Sequence, residues 1–401
     1  MNAQRPRTAQ QMKARRITKT PRRAPDFIFL WLTFALAFFG LVMVASASYK
    51  VAGDLFGDAF FFARRQAIWL SVGLIVLFAA MNIRLSAFRR ITPPFVLASF
   101  AALFTVYIPH VGQVLHGSRS WIHIGPLSAQ PAELAKPAMV LYLAYLFSKK
   151  GERMRDFSRG FLPPFLVVLT FSAIIVLQKD LGTALIIFTT AAVLLFIGGA
   201  RLIHLGAVVL TAVPLVVMAV VFFPYRMRRI TGYLDPWQDP SNSGYQLIQS
   251  LLAIAHGQVF GTGIGEGIQN YWYLPFAYND FIFAVIAEEL GLIGTSVFVL
   301  VYALWIGRGF MLSLRHPEPH AKLVGMGAMT AVSVQALFNL GGVTGLLPIT
   351  GVTLPLVSYG GSSLVVTMLF AGWVLSLSRD SNAIDRRPYM IPTKRQTLTH
   401  R

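Results

Sequence analysis

The 401-residue sequence has no cysteine. That excludes disulfide scaffolds, cysteine–zinc sites and thiol nucleophiles. Charge is also scarce, at 13% of residues against about a quarter in an ordinary soluble domain, so two or three such domains in tandem are excluded. Acidic residues are the rarer sign: 16 Asp and Glu stand against 35 Lys and Arg, a formal net charge of +19. A basic balance is one signature of nucleic-acid binding. With 55% hydrophobic residues, however, it points to a polytopic membrane protein with basic inner loops and no nucleic-acid partner. The eight histidines show no pair at metal-ligand spacing within a helix, which argues against a histidine metal site. No internal repeat stands out, which argues against an inverted-repeat transporter.

A helix that crosses a bilayer needs roughly 20 mostly apolar residues. Ten runs qualify, near 27–49, 67–83, 93–111, 132–148, 161–178, 181–200, 202–223, 281–307, 321–343 and 355–378. The expected fold is therefore an all-α polytopic membrane protein of about ten transmembrane helices. Residues 27–378 form the membrane domain, between basic cytoplasmic tails at 1–26 and 379–401. The first run is too long for a signal-peptide core and reads as uncleaved. Most Lys and Arg fall in the tails and alternate loops on one side, so both termini are expected in the cytoplasm. Two outer segments stand apart: 112–131, and the long loop 224–280 between helices 7 and 8. A connection of that length is usually functional. Within it, Tyr245–His256 has helical spacing and is too short to span, so it reads as an amphipathic interfacial helix.

Ionisable groups are costly in a membrane, which makes their placement informative. Four distant parts of the chain bring polar residues to the outer face. Glu133 and Lys136 lie three apart on one helical face, and Lys179-Asp180 joins helices 5 and 6. Asp280 closes the long loop soon after Tyr271-Trp272-Tyr273, and Ser358-Tyr359-Gly360-Gly361-Ser362-Ser363 opens helix 10. Each has a structural alternative. Glu133 and Lys136 can be an ion pair at a helix end, and Asp180 or Asp280 can be a helix N-cap. Glu288 and Glu289, about two turns into helix 8, require at least one polar partner. Gly360-Gly361 can serve close helix packing. For Asp280 a partly desolvated aromatic surround would also suit a general base.

The run Tyr273-Leu274-Pro275 through Asp280-Phe281-Ile282-Phe283-Ala284 and Glu288-Glu289-Leu290-Gly291 resembles the signature of the SEDS family (shape, elongation, division and sporulation), which includes FtsW, RodA and SpoVE. Further segments agree in order: Gly40-Leu41-Val42-Met43, Trp121-Ile122 with Gly125, Gln130 to Lys136, Asp180-Leu181-Gly182-Thr183, Gly244-Tyr245-Gln246, and Leu354-Pro355 with Ser358 to Ser363. Two places depart from the family pattern. Phe276-Ala277-Tyr278-Asn279 stands where Glu-x-His-Thr is usual, and Pro131-Ala132-Glu133 where Pro-Ser-Glu is usual. Gly351-Val352-Thr353-Leu354-Pro355 is closer to the division member than to the elongation member.

The resemblance implies a peptidoglycan glycosyltransferase that polymerises lipid II, the undecaprenyl-diphosphate-linked disaccharide-peptide, on the outer face of the bacterial cytoplasmic membrane. A division role at the septum is expected, with an elongation-type polymerase as the alternative. Asp280 would be the catalytic carboxylate, accepting the proton of the attacking sugar hydroxyl. Lys136, helped by Arg119 or a divalent cation (Mg or Mn), would meet the charge of the departing prenyl diphosphate. Trp121, Glu133, Asp180, Ser358, Gly360, Gly361 and Ser362 complete the expected substrate site, and Glu288, Glu289 and Gln246 support it. No cofactor is implied with certainty, and the metal is left unidentified. The expected partners are a class B penicillin-binding transpeptidase and other divisome or elongasome membrane proteins. Two readings of other classes stay open: a flippase for the lipid-linked precursor, and a non-catalytic activator of the transpeptidase.

Overall fold

The computed structural model describes residues 24–115, 118–124, 127–150, 154–222, 224–269 and 273–384. Apolar runs that cannot leave their backbone amides unpaired in lipid form helices. The long ones are α1 (Phe27–Phe56), α2 (Phe61–Asn82), α3 (Leu85–Ala102), α4 (Pro131–Lys150), α5 (Leu162–Leu177), α6 (Leu181–Ile197) and α7 (Leu202–Val221). Two short helices follow, α8 (Pro224–Leu234) and α9 (Tyr245–His256), then α10 (Ile282–Leu314), α11 (Pro319–Val343) and α12 (Gly361–Ile384). Among the described residues, seven of these are long and apolar enough to cross a membrane: α1, α2, α3, α5, α10, α11 and α12, while α6 is a shorter apolar helix. The chain is a multi-pass helical membrane protein.

Several expected boundaries shift. Helix α1 continues to Phe56, where Gly57 caps it in the left-handed region. Helix α3 starts at Leu85 rather than 93 and carries Pro93 and Pro94 inside it. The last helix begins at Gly361 rather than 355, because residues 350–360 form an irregular segment that lines the site instead. Segment 112–131 contains an antiparallel sheet, β1 (Gly112–Leu115), β2 (Ser118–Ile124) and β3 (Leu127–Ala129). Gln113 pairs with Trp121 and Ile122 with Ala129. The sheet is tied to the α5–α6 corner: Ser118 Oγ and Arg119 N both donate to Gln178 O, at 2.9 and 3.1 Å.

The core is built around α4, α11 and α12, whose side chains are buried on most sides. Helix α12 packs closely on α2 because Gly361 has no side chain: a methyl there would overlap the Trp69 indole. Gly40 of α1 likewise admits the backbone of Leu356 and Val357. At the N-terminal end of α1, Asp26 accepts from Phe29 N at 2.9 Å and pairs with Arg308 at 2.5 Å, joining the start of α1 to α10.

Helix α10 is broken at Gly291, which sits at φ 64° and ψ −170°. Residues 257–263 fill the break. Thr262 N and Gly263 N donate to the carbonyls of Glu288 and Glu289, and Leu292 N and Ile293 N donate to Gln258 O and Val259 O. The amides freed by the break are thus satisfied by protein, the condition for irregular backbone within a membrane protein. Only a glycine fits at 291, because the left-handed φ penalises a Cβ and the Cβ would overlap Gly261 N.

Candidate active site

Asp280 lies two residues before α10, and the N-terminal residue of that helix is flanked by Phe281 rather than capped by a side chain. The N-cap role considered from sequence is not the one it plays. Its backbone carbonyl accepts from Asn339 Nδ2 at 2.7 Å, and the same amide reaches Val352 O at 2.7 Å. Asn339, from α11, therefore fixes the Asp280 loop against the 350–360 segment. The carboxylate turns to Gly351 (φ 73°): a methyl on this glycine would lie 3.6 Å from Asp280 Oδ2 and 3.3 Å from Arg229 Nη1. Asp280 Oδ1 is shielded from solvent and makes no hydrogen bond among the described residues. Burial pushes the Asp280 carboxyl up to about 6, with Arg229 opposing and the Asp180 charge reinforcing that rise. Next to it, Tyr278 stacks on Phe62 (centroids 4.3 Å apart) and meets Tyr359 edge-on at 5.7 Å. Burial pushes the Tyr278 phenol up to about 12. The residue that replaces the usual histidine is thus an aromatic wall and carries no titration near neutrality.

Asp180 does cap α6, accepting from Thr183 N at 3.0 Å. It also accepts from Gln130 Nε2, while Gln130 N donates to Ser362 Oγ at 3.0 Å. One glutamine thus joins the starts of α4, α6 and α12. Burial raises the Asp180 carboxyl, Glu133 adds to that, and Lys136 opposes it. Glu133 and Lys136 form a buried ion pair at 2.7 Å. Lys136 Nζ also donates to Gln335 Oε1 at 2.7 Å, and Gln335 Nε2 continues to Thr353 O and Ser363 Oγ, both at 2.9 Å.

The other expected residues take varied places. Arg119 is exposed, its guanidinium 5.7 Å from the Tyr107 ring centroid. Trp121 is half-buried on β2. Ser358 accepts from Leu354 N at 2.8 Å and shapes the turn before α12, and its carbonyl takes a bond from Gln66. Gly360 N donates to Gln66 Oε1 at 3.4 Å, and Gly361 is a packing glycine. Both glutamates of α10 find partners. Glu288 accepts from Ile268 N at 2.8 Å, from Gln269 N and from His256, and Glu289 accepts from Ser46 Oγ at 2.6 Å. Gln246 lies half-buried on α9. Gly125, Tyr271 and Trp272 lie outside the described residues.

Sequence reasoning missed Gln130, Arg226, Arg229, Gln335 and Asn339 as site residues. Gln335 and Asn339 carried a signal: two amides four apart inside an apolar helix need polar partners. The arginines did not, because outer-loop cations read only as exceptions to a charge bias. A cavity of about 580 Å³ between α3, α4 and α5, walled by Val96, Tyr142 and Phe171 among others, has little polar surface and does not include Asp280. A second, about 380 Å³, lies beside Ser46, Lys50 and Gly265.

The profile of the FtsW/RodA/SpoVE family, described as "Cell cycle protein", matches residues 27–383. The chain belongs to this family. Stage V sporulation protein E of Bacillus subtilis is 41% identical over 362 residues, covering 90% of this chain and 99% of that protein. A protein of Geobacter metallireducens named probable peptidoglycan glycosyltransferase FtsW is 40% identical over 353 residues, covering 88% and 94%. Among solved structures, a chain of a peptidoglycan synthase complex superposes with a TM-score of 0.73 at 33% identity, covering 89% of this chain and 98% of that one. The rod shape determining protein RodA of Thermus thermophilus gives 0.66 at 28%, covering 89% and 97%.

Proposed function

We propose that this family member is a peptidoglycan glycosyltransferase that polymerises lipid II at the outer face of the cytoplasmic membrane, in division, together with a class B penicillin-binding transpeptidase. The observation that carries the reading is the Asp280 carboxyl: enclosed enough to be raised to about 6, with one oxygen that makes no hydrogen bond among the described residues. A general base works best with a pKa near the operating pH. Asp280 takes the proton of the acceptor sugar hydroxyl, and that oxygen bonds to the anomeric carbon of the donor. The bond from that carbon to the diphosphate oxygen breaks, and the prenyl diphosphate leaves with the electron pair. The names of the curated relatives and the synthase-complex neighbour support the activity and the kind of partner.

Among the described residues, the side chains around Asp280 do not build a cage for a divalent cation. Asp180 and Asp280 each face an arginine, and among the described residues no three His, Asp or Glu side chains converge on one point. No step here runs through a metal. The thread Gly351-Val352-Thr353-Leu354-Pro355 supports the division type over the elongation type. Purified full-length protein with lipid II, with and without its transpeptidase, should yield glycan strands on a gel. Glycan of normal yield from folded Asp280→Asn protein would sink the assignment. A tagged copy should gather at midcell; side-wall localisation would favour elongation.

A further inference from the structure

We propose that Arg226 and Arg229 of α8 form the binding site for the diphosphate of the lipid-linked donor, and that Arg229 is shared between that diphosphate and Asp280. This rests on the polymerase reading above and deepens it.

Helix α8 has the sequence Pro224-Tyr-Arg-Met-Arg-Arg-Ile-Thr-Gly-Tyr-Leu234. Arg226, Arg229 and Tyr233 fall at i, i+3 and i+7 and so share a face. That face is turned to the protein. Arg226 is buried and its Nη2 donates to Val176 O at 3.4 Å. Arg229 Nη1 donates to Ile349 O at 3.1 Å, and Tyr233 OH donates to Leu346 O at 3.1 Å. Arg228, between them, is exposed. One short helix thus lays two guanidiniums along the floor of the site. The first lies in the field of Asp180 and the second in that of Asp280.

Three observations single out these two as the anion site. First, the other cations expected from the sequence are placed otherwise: Lys136 is only 3% exposed and held by Glu133 and Gln335, and Arg119 lies over Tyr107. Second, a guanidinium presents five N–H donors in a planar fork that matches carboxylate and phosphate oxygens alike, so donors facing Asp280 suit an incoming phosphate. Third, Gly351 lets Arg229 Nη1 and Asp280 Oδ2 reach one point of the backbone: a Cβ there would lie 3.3 Å from the first and 3.6 Å from the second, so a larger residue would crowd the guanidinium that the anion needs.

The sharing has a chemical consequence. With no donor bound, Arg229 faces Asp280 and favours its ionised, weakly basic form. When the diphosphate arrives, Arg229 turns part of its fork to the phosphate oxygens, and Asp280 is left with the charge of Asp180 and the neutral Tyr278 phenol. Its affinity for a proton rises while the acceptor hydroxyl is beside it. The guanidinium that released the base then meets the charge of the leaving diphosphate. Every proton and electron pair moves as in the polymerisation step above.

The test uses the full-length protein in detergent, with undecaprenyl diphosphate and undecaprenyl monophosphate as probes and binding measured by calorimetry. Wild type should bind the diphosphate at least tenfold more tightly than the monophosphate. Arg229→Gln and Arg226→Gln should each erase most of that preference, Arg229→Lys should restore part of it, and Arg228→Gln should leave it unchanged. In Arg229→Gln the acid limb of kcat/KM should also move to higher pH, which loss of the Ile349 bond alone would not cause. Asp280→Asn should still bind the diphosphate. The proposal is overturned if both glutamine variants keep the wild-type preference, or if the acid limb of Arg229→Gln stays in place. Failure of wild type to make glycan while retaining the diphosphate preference would instead overturn the polymerase reading and leave the anion site standing.

Discussion

Asp280 Oδ2 and Arg229 Nη1 face each other across Gly351, each within van der Waals reach of the point where a side chain on that glycine would begin. The three residues come from the connection just before α10, the short helix α8 and the segment before α12. A substitution at any of them should therefore be read at the same carboxylate.

Asp280→Asn should reduce glycan synthesis by about 10²-fold or more, the usual contribution of a positioned proton acceptor. In wild type, kcat/KM should fall as pH drops through about 6, because the base must be ionised and burial has raised it to that value. Stability should run the other way. A carboxyl whose folded value lies above its unfolded 3.8 stabilises the fold at low pH and loses that contribution as pH rises through about 6. Melting temperatures of wild type and variant between pH 4 and 8 should converge at the acid end, and a flat difference across that range would contradict the burial argument.

Lys136→Met should destabilise the protein by about 3 kcal/mol, since removing one partner of a buried ion pair strands the other. Here Glu133 and Gln335 both lose a donor. The double variant Glu133→Gln with Lys136→Met should recover part of that loss. Thermal melts in detergent compare four chains, wild type, Lys136→Met, Glu133→Gln and the double variant, and additivity of the two single changes would show that the pair does not act as a unit.

Gly361→Ala should cost about 1–3 kcal/mol, the usual penalty for overfilling a packed contact, because its methyl overlaps the Trp69 ring. Adding Trp69→Leu to the same chain should return much of the melting temperature. If the alanine is harmless alone, α2 and α12 are less closely fitted than their contact implies.

Glu288→Ala should free the amides of Ile268 and Gln269, which now donate to a buried carboxylate. Bonds to a charged acceptor are worth about 1.5–3 kcal/mol each, so hydrogen exchange at these two amides should accelerate by about tenfold or more. Amides deep in α11 should not change.

The parts of the molecule that follow from local pattern were legible. A short helix falls on Tyr245–His256 as its spacing predicts, the long apolar runs became the long helices, and Asp280 ends the long connection just before α10. What depends on distant chain segments was not. Arg229 acquires its role only when α8 is brought against residues 349–351. Lys136 looked available until α11 supplied Gln335. The strands of 112–129 are too short and too mixed in character to register as alternation. Hydropathy also carried the last helix back to 355, because it cannot distinguish apolar residues in a helix from apolar residues packed in a loop such as Leu354 and Val357.

The break at Gly291 gives the two parts of α10 separate orientations. Every residue from Ile282 to Glu289 is enclosed, whereas beyond the break Leu292, Val297, Leu300 and Leu304 are more than half exposed. In an unbroken helix the angle of the outer portion would dictate the angle of the inner one, residue by residue. Here the collar of residues 258–263 bonds to both sides of the break, so it works as a bracket that sets the enclosed plug carrying the site and the rod with its exposed stripe at an angle that no continuous helix could hold.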